Sequence, residues 1–171
     1  MVMLLNKVVK TGLIAIMLLT WSMAQAAGKQ VIGWVEDVHI NEARMNLVAK
    51  IDTGADKTSV KAKILKKFKR DGQEWVRFRI IDKHSHSVEL ERRIERYARI
   101  KRKMCPTLRR PVVKLGICLG NIFREVEVNL AKRKGFKYNM LIGRNFLQGV
   151  YLVDSALQYE SQPQCPGIKG D

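Results

Sequence analysis

At residues 47–55 the chain reads Leu47-Val48-Ala49-Lys50-Ile51-Asp52-Thr53-Gly54-Ala55. The apolar run that ends at Ile51 predicts a β-strand. Gly54 predicts a sharp turn directly after it, because glycine has no Cβ to obstruct the backbone. Asp52 is therefore expected where the strand meets the turn, with its carboxylate presented on rigid backbone. Such an aspartate is a candidate catalytic group, although Asp-Thr-Gly on its own is also a common turn tripeptide.

A second informative segment lies late in the chain and reads Asn139-Met140-Leu141-Ile142-Gly143-Arg144-Asn145-Phe146-Leu147. Its apolar pair, Leu141 and Ile142, is followed by a glycine and an arginine. We predict one short helix over residues 144–147, directly after Gly143.

In this order, the two segments resemble the two halves of a retropepsin-type aspartic protease subunit. In such proteases Asp-Thr-Gly-Ala-Asp is followed late in the subunit by an apolar-apolar-Gly-Arg-Asn segment, where the chain crosses behind the active turn and enters a short helix. The resemblance implies that Asp52 is catalytic and that Arg144 pairs with Asp56. The alternative for that pair is a surface ion pair that contributes little to stability. The implied active-site turn is Thr53, Gly54 and Ala55, and its implied support is Asp56, Gly143 and Arg144.

Further matches point to a bacterial retropepsin-like family, formerly labelled "ATP-dependent zinc protease" and linked to ATP-grasp ligases that append glutamate. Cytosolic members of that family are taken to cleave glutamate-rich tails. The resemblance covers most of residues 31–159. Beyond the two core motifs it rests on Trp75, Phe78, Arg110-Pro111-Val112, Leu119-Gly120 and Tyr151-Leu152-Val153-Asp154.

Aspartic protease chemistry needs two carboxylates that share one proton, because both cannot ionise at close range. One carboxylate acts as a general base toward water, and its protonated partner polarises the peptide carbonyl. The chain contains one Asp-Thr-Gly. A working dyad therefore requires a second copy, and we expect a two-fold homodimer that brings together Asp52 from both subunits.

The remaining pattern predicts an all-β fold, a retropepsin-like closed barrel with one short helix. Short strands recur at intervals near ten residues, with turn signals at residues 70–73 and 120–121 between them. Residues 33–40 are predicted to form one strand, and residues 88–103 are predicted to be long, twisted strand rather than helix. A flap is expected near residues 100–108, where Cys105 and Pro106 stand in place of the glycines of viral flaps. The protease domain is expected over residues 27–160, and residues 161–171 are expected to form a loose tail.

The first 26 residues are predicted to be a cleaved signal peptide. Lys7 and Lys10 precede an apolar core, and Ala24-Gln25-Ala26 has the form of a signal-peptidase site. An uncleaved anchor is the alternative, but an apolar core of about 11 residues is short of the ~20 that span a bilayer. A periplasmic or secreted protein with no stable membrane span after cleavage is expected. The remaining chain of about 145 residues suffices for one domain.

The formal net charge of +16 favours an anionic partner. Since Lys7 and Lys10 contribute two of these charges, about +14 remains after signal cleavage. The leading functional hypothesis is an exported aspartic endopeptidase with an acidic peptide or protein as substrate. The alternative is a non-catalytic envelope protein of the same fold that binds an anionic polymer or a partner protein. Nucleic acid is not an expected partner, because the aromatic residues form no stacking array.

The three cysteines, Cys105, Cys118 and Cys165, allow at most one intramolecular disulfide, and their pairing is left open. Cys118 lies in an apolar alternating run and is expected to be a small buried hydrophobic residue. If His84 and His86 lay on one strand, they would share a face as half of a zinc site. Exposed histidines in a hairpin loop are the favoured alternative, and we expect neither a metal nor a cofactor.

Overall fold

The computed structural model describes residues 28–102, 105–132 and 137–167, so the predicted signal peptide lies outside the described residues. The all-β prediction with one short helix is confirmed. Within the described chain, no helix has the length and apolar character needed to cross a bilayer. The strands are β1 (Gln30–Gly33), β2 (Val35–Ile40), β3 (Met45–Ile51), β4 (Thr58–Arg70), β5 (Gln73–Ile81), β6 (Ser87–Arg93), β7 (Arg96–Arg102), β8 (Cys105–Leu119), β9 (Ile122–Ala131), β10 (Met140–Ile142) and β11 (Tyr151–Asp154). The helix is α1 (Arg144–Leu147), and a 3-10 turn spans Asn41–Ala43.

Six of the strands form a closed circuit of pairings. The order runs β10, β3, β2, β8, β9, β4 and returns to β10, because the short β10 pairs with both β3 and β4. Its pairing with β3 is parallel and its pairing with β4 is antiparallel. Buried apolar side chains from all six strands share one core, which includes Val38, Leu47, Val60, Leu115, Val128 and Met140.

Two hairpin units extend from this circuit. The first is the antiparallel β4–β5–β6 sheet, whose first turn contains Asp71 and Gly72, both with positive φ. The second is the β7–β8 hairpin, the predicted flap, of which residues 103–104 lie outside the described residues. The predicted turns at residues 70–73 and 120–121 are both present, and residues 88–103 include strand rather than helix, as predicted.

The predicted strand at residues 33–40 is interrupted at Trp34. The amide of Trp34 donates to the carbonyl of Leu157, while its own carbonyl accepts from the amide of Ile51. Because these bonds lead to two different segments, β1 separates from β2 and pairs in parallel with β11 instead. Gly33 is required at this break, since a Cβ there would lie 2.3 Å from the carbonyl oxygen of Leu157.

The sequence analysis predicts a loose tail over residues 161–171, but residues 161–165 of that tail are anchored to the rest of the domain. Cys165 is buried and forms a disulfide with Cys118 in β8, with their Cα atoms 6.0 Å apart. The amide of Gln164 also donates to the carbonyl of Gly120 at 2.7 Å. Cys118 is therefore buried, as expected, but it is half of a covalent crosslink rather than a simple hydrophobic residue.

A buried carboxylate holds the same segment. Glu36 in β2 is fully buried and accepts hydrogen bonds from the amides of Gly33, Glu160 and Ser161, and from the Ser161 hydroxyl. These bonds replace the hydrogen bonds to water that a carboxyl group loses on burial. Glu36 thus joins the break before β2 to the chain just ahead of the disulfide.

Removal of the crosslink should destabilise the protein without unfolding it. We expect Cys165→Ser to lower the free energy of unfolding by about 2–4 kcal/mol, because the unfolded chain loses a closed loop. Guanidinium titration under oxidising conditions measures this difference. A reductant should bring the wild-type protein down to the stability of the variant and leave the variant unchanged. Equal stability of oxidised wild type and variant would show that the crosslink contributes nothing.

Candidate active site

Asp52 directly follows β3, and its main chain is held from both sides. Its amide donates to the carbonyl of Ile142 at 2.9 Å, and its carbonyl accepts from the amide of Ala55 at 3.2 Å. Its carboxylate Oδ1 accepts from the amide of Gly54 at 3.0 Å. Thr53 and Gly54 are exposed and Asp52 is half-buried. One carboxylate oxygen is therefore oriented by the turn, and the group remains accessible to a substrate.

The strand behind this turn determines where Asp52 lies. β10 runs between β3 and β4, with Ile142 opposite Ile51 and Met140 opposite Val60. The chain then reaches Gly143, where a Cβ would lie 2.7 Å from the carbonyl carbon of Lys57 and 2.9 Å from the carbonyl oxygen of Ala55. Both neighbours are backbone atoms, so only glycine permits this approach.

Helix α1 binds the turn through its backbone and through a side chain. The amide of Arg144 donates to the carbonyl of Ala55 at 2.8 Å, and the amide of Asn145 donates to the carbonyl of Asp56 at 3.2 Å. The Arg144 guanidinium donates to the carbonyl of Thr53 at 2.8 Å and also pairs with the Asp56 carboxylate. The predicted pairing of Arg144 with Asp56 is confirmed.

The two side chains of that pair are exposed, so its Coulombic contribution is small. The pair instead fixes the shape of the turn, because one planar guanidinium binds two acceptors at opposite ends of it. The structure brings together every residue predicted for the site: Asp52, Thr53, Gly54, Ala55, Asp56, Gly143 and Arg144.

Two residues that the sequence analysis did not assign to the site complete its support. Thr58 is fully buried, and its amide and its hydroxyl both donate to Oδ1 of Asn145, at 2.8 and 2.9 Å. The same hydroxyl accepts from the amide of Gly143 at 3.2 Å. The sequence could have indicated Asn145, since it follows Arg144 in the second motif. No sequence pattern indicates Thr58, because only the fold brings it to Asn145.

Glu127 in β9 is a third residue that the sequence analysis missed. Its carboxylate accepts two hydrogen bonds from Arg96, at 3.0 and 2.8 Å, and lies 3.1 Å from Nζ of Lys57. Hydrogen bonding to Arg96, together with Lys57, lowers the pKa of Glu127 to about 2, although partial burial acts in the opposite direction. The carboxylate therefore stays ionised in mildly acidic solution.

The three histidines lie in two separate places. His84 and His86 occupy the β5–β6 turn, where Ser85 has a φ of 69° and both histidines are exposed. They do not lie on one strand, because Asp82 accepts from the amides of both and closes the turn. Nδ1 of His39 lies 2.7 Å from Oδ1 of Asn46. Within the described ranges, no three His, Cys, Asp or Glu side chains are grouped to hold a metal ion.

Residues 31–164 match the model of the RimB-like family, described as the retropepsin-like aspartic endopeptidase RimB. The chain belongs to this family. The resemblance drawn from the two motifs is thereby confirmed, and the matched residues include the turn, β10, α1 and the anchored segment before Cys165.

Two curated relatives are each called a probable alpha-L-glutamate ligase. The relative from Desulfotalea psychrophila is 29% identical over 145 residues, which cover 80% of this chain and 30% of that protein. The relative from Shewanella pealeana is 33% identical over 126 residues, covering 72% of this chain and 26% of that protein. The chain thus spans less than a third of the length of either relative.

A solved structure has the same fold. It is a Legionella pneumophila protein of unknown function, which aligns with a TM-score of 0.67 and 30% sequence identity. The alignment covers 79% of this chain and all of that chain. The whole of the Legionella chain therefore aligns with the fold described here.

Gly143 offers a direct test of how the turn is held. We expect Gly143→Ala to lower the free energy of unfolding by about 1–3 kcal/mol or more, because the new Cβ would overlap the backbone of Lys57 and Ala55. Denaturant titration measures the loss. Gly28→Ala is the matched control, since nothing lies within 4 Å of a Cβ at Gly28. Equal stability of the two variants would contradict the close approach.

Proposed function

We propose that this chain is an aspartic endopeptidase in which Asp52 is the catalytic carboxylate. The observation that carries this proposal is the Asp52 carboxylate itself, which is held by the amide of Gly54 on an accessible turn that α1 binds from behind. Membership of a retropepsin-like endopeptidase family supports the same assignment. The reaction is hydrolysis of a peptide bond by an activated water.

The active form in this proposal is a homodimer. One chain contributes one Asp-Thr-Gly turn, whereas the chemistry needs a carboxylate that is ionised and a second that is protonated. Thr53 is exposed beside Asp52, where its hydroxyl can contact the equivalent turn of a second copy. In the dimer, one Asp52 takes a proton from water while the other polarises the carbonyl and then protonates the leaving nitrogen.

The proposed substrate is an acidic peptide or protein, with glutamate-rich chains as the leading candidates. Two observations support this choice. The curated relatives that share this segment are called probable alpha-L-glutamate ligases, which connects the segment to glutamate chemistry. The net charge of about +14 that remains after removal of Lys7 and Lys10 attracts anionic chains and speeds their encounter with the protein.

We propose further that the protein acts after export, in the periplasm or outside the cell. The predicted signal peptide at residues 1–26 is the first support. The second is the disulfide between Cys118 and Cys165, because such crosslinks persist mainly in oxidising compartments. A substrate in the envelope would then replace the cytosolic tails expected for other members of the family.

Substitution of the catalytic carboxylate tests the assignment. The protein without residues 1–26 should cleave glutamate-rich peptides, and Asp52→Asn should reduce turnover to background, because an amide cannot accept the proton from water. Cleavage is followed by chromatography of the products. Asp71→Asn is the control, since it removes the same charge at an exposed hairpin turn. Unchanged turnover in the Asp52→Asn variant would refute the peptidase assignment.

The alternative function gives a different result in the same variants. A non-catalytic envelope protein would bind an anionic polymer in a salt-sensitive manner, and that binding would survive Asp52→Asn. The observation that favours it is the positive charge alone. Absence of cleavage by the wild-type protein, together with such binding, would select this alternative.

Mixing the variant with the wild type tests the shared dyad. If each active site uses Asp52 from both subunits, heterodimers are inactive. An equal mixture at exchange equilibrium should then give about half the activity of the same wild-type subunits alone. A protein with the complete site in one chain would keep its full activity in the mixture. Sedimentation velocity of the wild type over a range of concentrations supplies the independent measure of assembly.

A further inference from the structure

We infer that Glu127 is a positioning residue that couples the first strand of the β7–β8 hairpin to the active-site turn. This inference rests on the proposed peptidase function, with the β7–β8 hairpin as the flap that the sequence analysis predicts. The Glu127 side chain acts through Lys57 and Arg96, which lie 3.1 and 2.8 Å from its Oε2.

The first connection leads to the turn. Lys57 follows Asp56 directly, and its Nζ lies 3.1 Å from Oε2 of Glu127. The main chain of Lys57 is also the surface against which Gly143 packs. The Glu127 carboxylate therefore holds, at the exit of the turn, the same residue whose main chain packs against Gly143.

The second connection leads to the hairpin. Arg96 is the first residue of β7 and donates both Nε and a terminal nitrogen to the two oxygens of Glu127. A bidentate arginine–carboxylate pair restricts orientation as well as distance. Within the described chain, β7 has β8 as its strand partner and lies at the edge of the sheet. The bond to Glu127 thus ties this edge strand to β9.

The backbone of Glu127 contributes a third connection. Its carbonyl accepts from Nδ2 of Asn145 at 2.9 Å, and Asn145 in turn accepts from Thr58 through its Oδ1. One residue of β9 therefore reaches the turn exit through its side chain and α1 through its carbonyl. The hairpin has another contact, in which Lys67 and Arg109 lie over the Tyr97 ring, but this contact leads to the far end of β4 rather than to the turn.

The negative charge of Glu127 holds two cations, Lys57 and Arg96, close together. Its side chain is 28% exposed, compared with 43% for Lys57 and 40% for Arg96, so the anion is the most shielded of the three groups. Without that anion, the two cations would face each other across the same site and repel. Loss of the charge should therefore separate the hairpin from the turn. In enzymes, a misplacement of about 1 Å far from the chemistry can cost roughly 100-fold in rate.

The test compares two glutamates of the same strand. Glu127→Gln keeps the size of the side chain and removes its charge. Glu125→Gln makes the same change at an exposed residue whose nearest cation is Lys114, at 3.6 Å. We expect Glu127→Gln to raise amide hydrogen exchange in β7 and in residues 53–57 together. It should also lower kcat/KM for a glutamate-rich peptide about tenfold or more. Glu125→Gln should change neither quantity.

A double-mutant cycle separates coupling from general stability. Lys57→Gln and Arg96→Gln should be non-additive in kcat/KM, and this non-additivity should vanish when both are made in the Glu127→Gln background. Additive effects with Glu127 present would overturn the inference. It would also be overturned if exchange in Glu127→Gln rose equally in the distant β1–β11 pair, since that result indicates a global loss of stability.

The two proposals fail in different ways. Hydrogen exchange needs no catalytic activity, so coupled exchange of β7 and the turn can be measured even in a protein that cleaves nothing. A wild type without cleavage would refute the peptidase function. Unchanged exchange and unchanged kcat/KM in Glu127→Gln, in a wild type that does cleave, would refute the role of Glu127 alone.

Discussion

The site depends on the contact between the backbone of Gly143 and the backbone of the turn that follows Asp52. A Cβ at Gly143 would come within 3 Å of both Lys57 and Ala55, so at this point the main chains of the two segments pack directly against each other. This contact allows the amides of Arg144 and Asn145 to reach the turn carbonyls, and it brings the Ile142 carbonyl to the amide of Asp52. The carboxylate is consequently placed by backbone geometry, which varies less than side-chain geometry.

Polar groups without access to water keep this contact in place. Buried Thr58 uses its amide and hydroxyl to join Asn145 and Gly143, so a lost partner would leave an unsatisfied group in the interior. The exposed pair of Arg144 and Asp56 has a different role, because its energy is small but its donors fix the two ends of the turn. The hydrogen bonds of Thr58 therefore stabilise the contact, and the exposed Arg144 orients the turn.

The same principle applies to Glu36 and the Cys118–Cys165 disulfide. A buried carboxylate with four donors and a covalent bond together hold a segment that has little apolar content of its own. In the oxidising compartment proposed for this protein, the disulfide would persist. The charged cluster around Glu127 then links the site to the hairpin, which a rigid turn alone would not do.

The sequence by itself determined the all-β class and the short helix after Gly143, because strand and helix patterns depend on neighbours within a few positions. It also indicated the family and the residues around Asp52, because each of the two motifs is a short run of consecutive residues. The pairing of Arg144 with Asp56 was also predictable, since two motifs of one family carried it across 88 residues. Only the tertiary structure decided that Cys165 meets Cys118, that Glu36 anchors residues 160–161, and that Glu127 lies between Lys57 and Arg96. Those contacts join residues far apart in the chain, and no local periodicity or motif encodes which distant strands become neighbours.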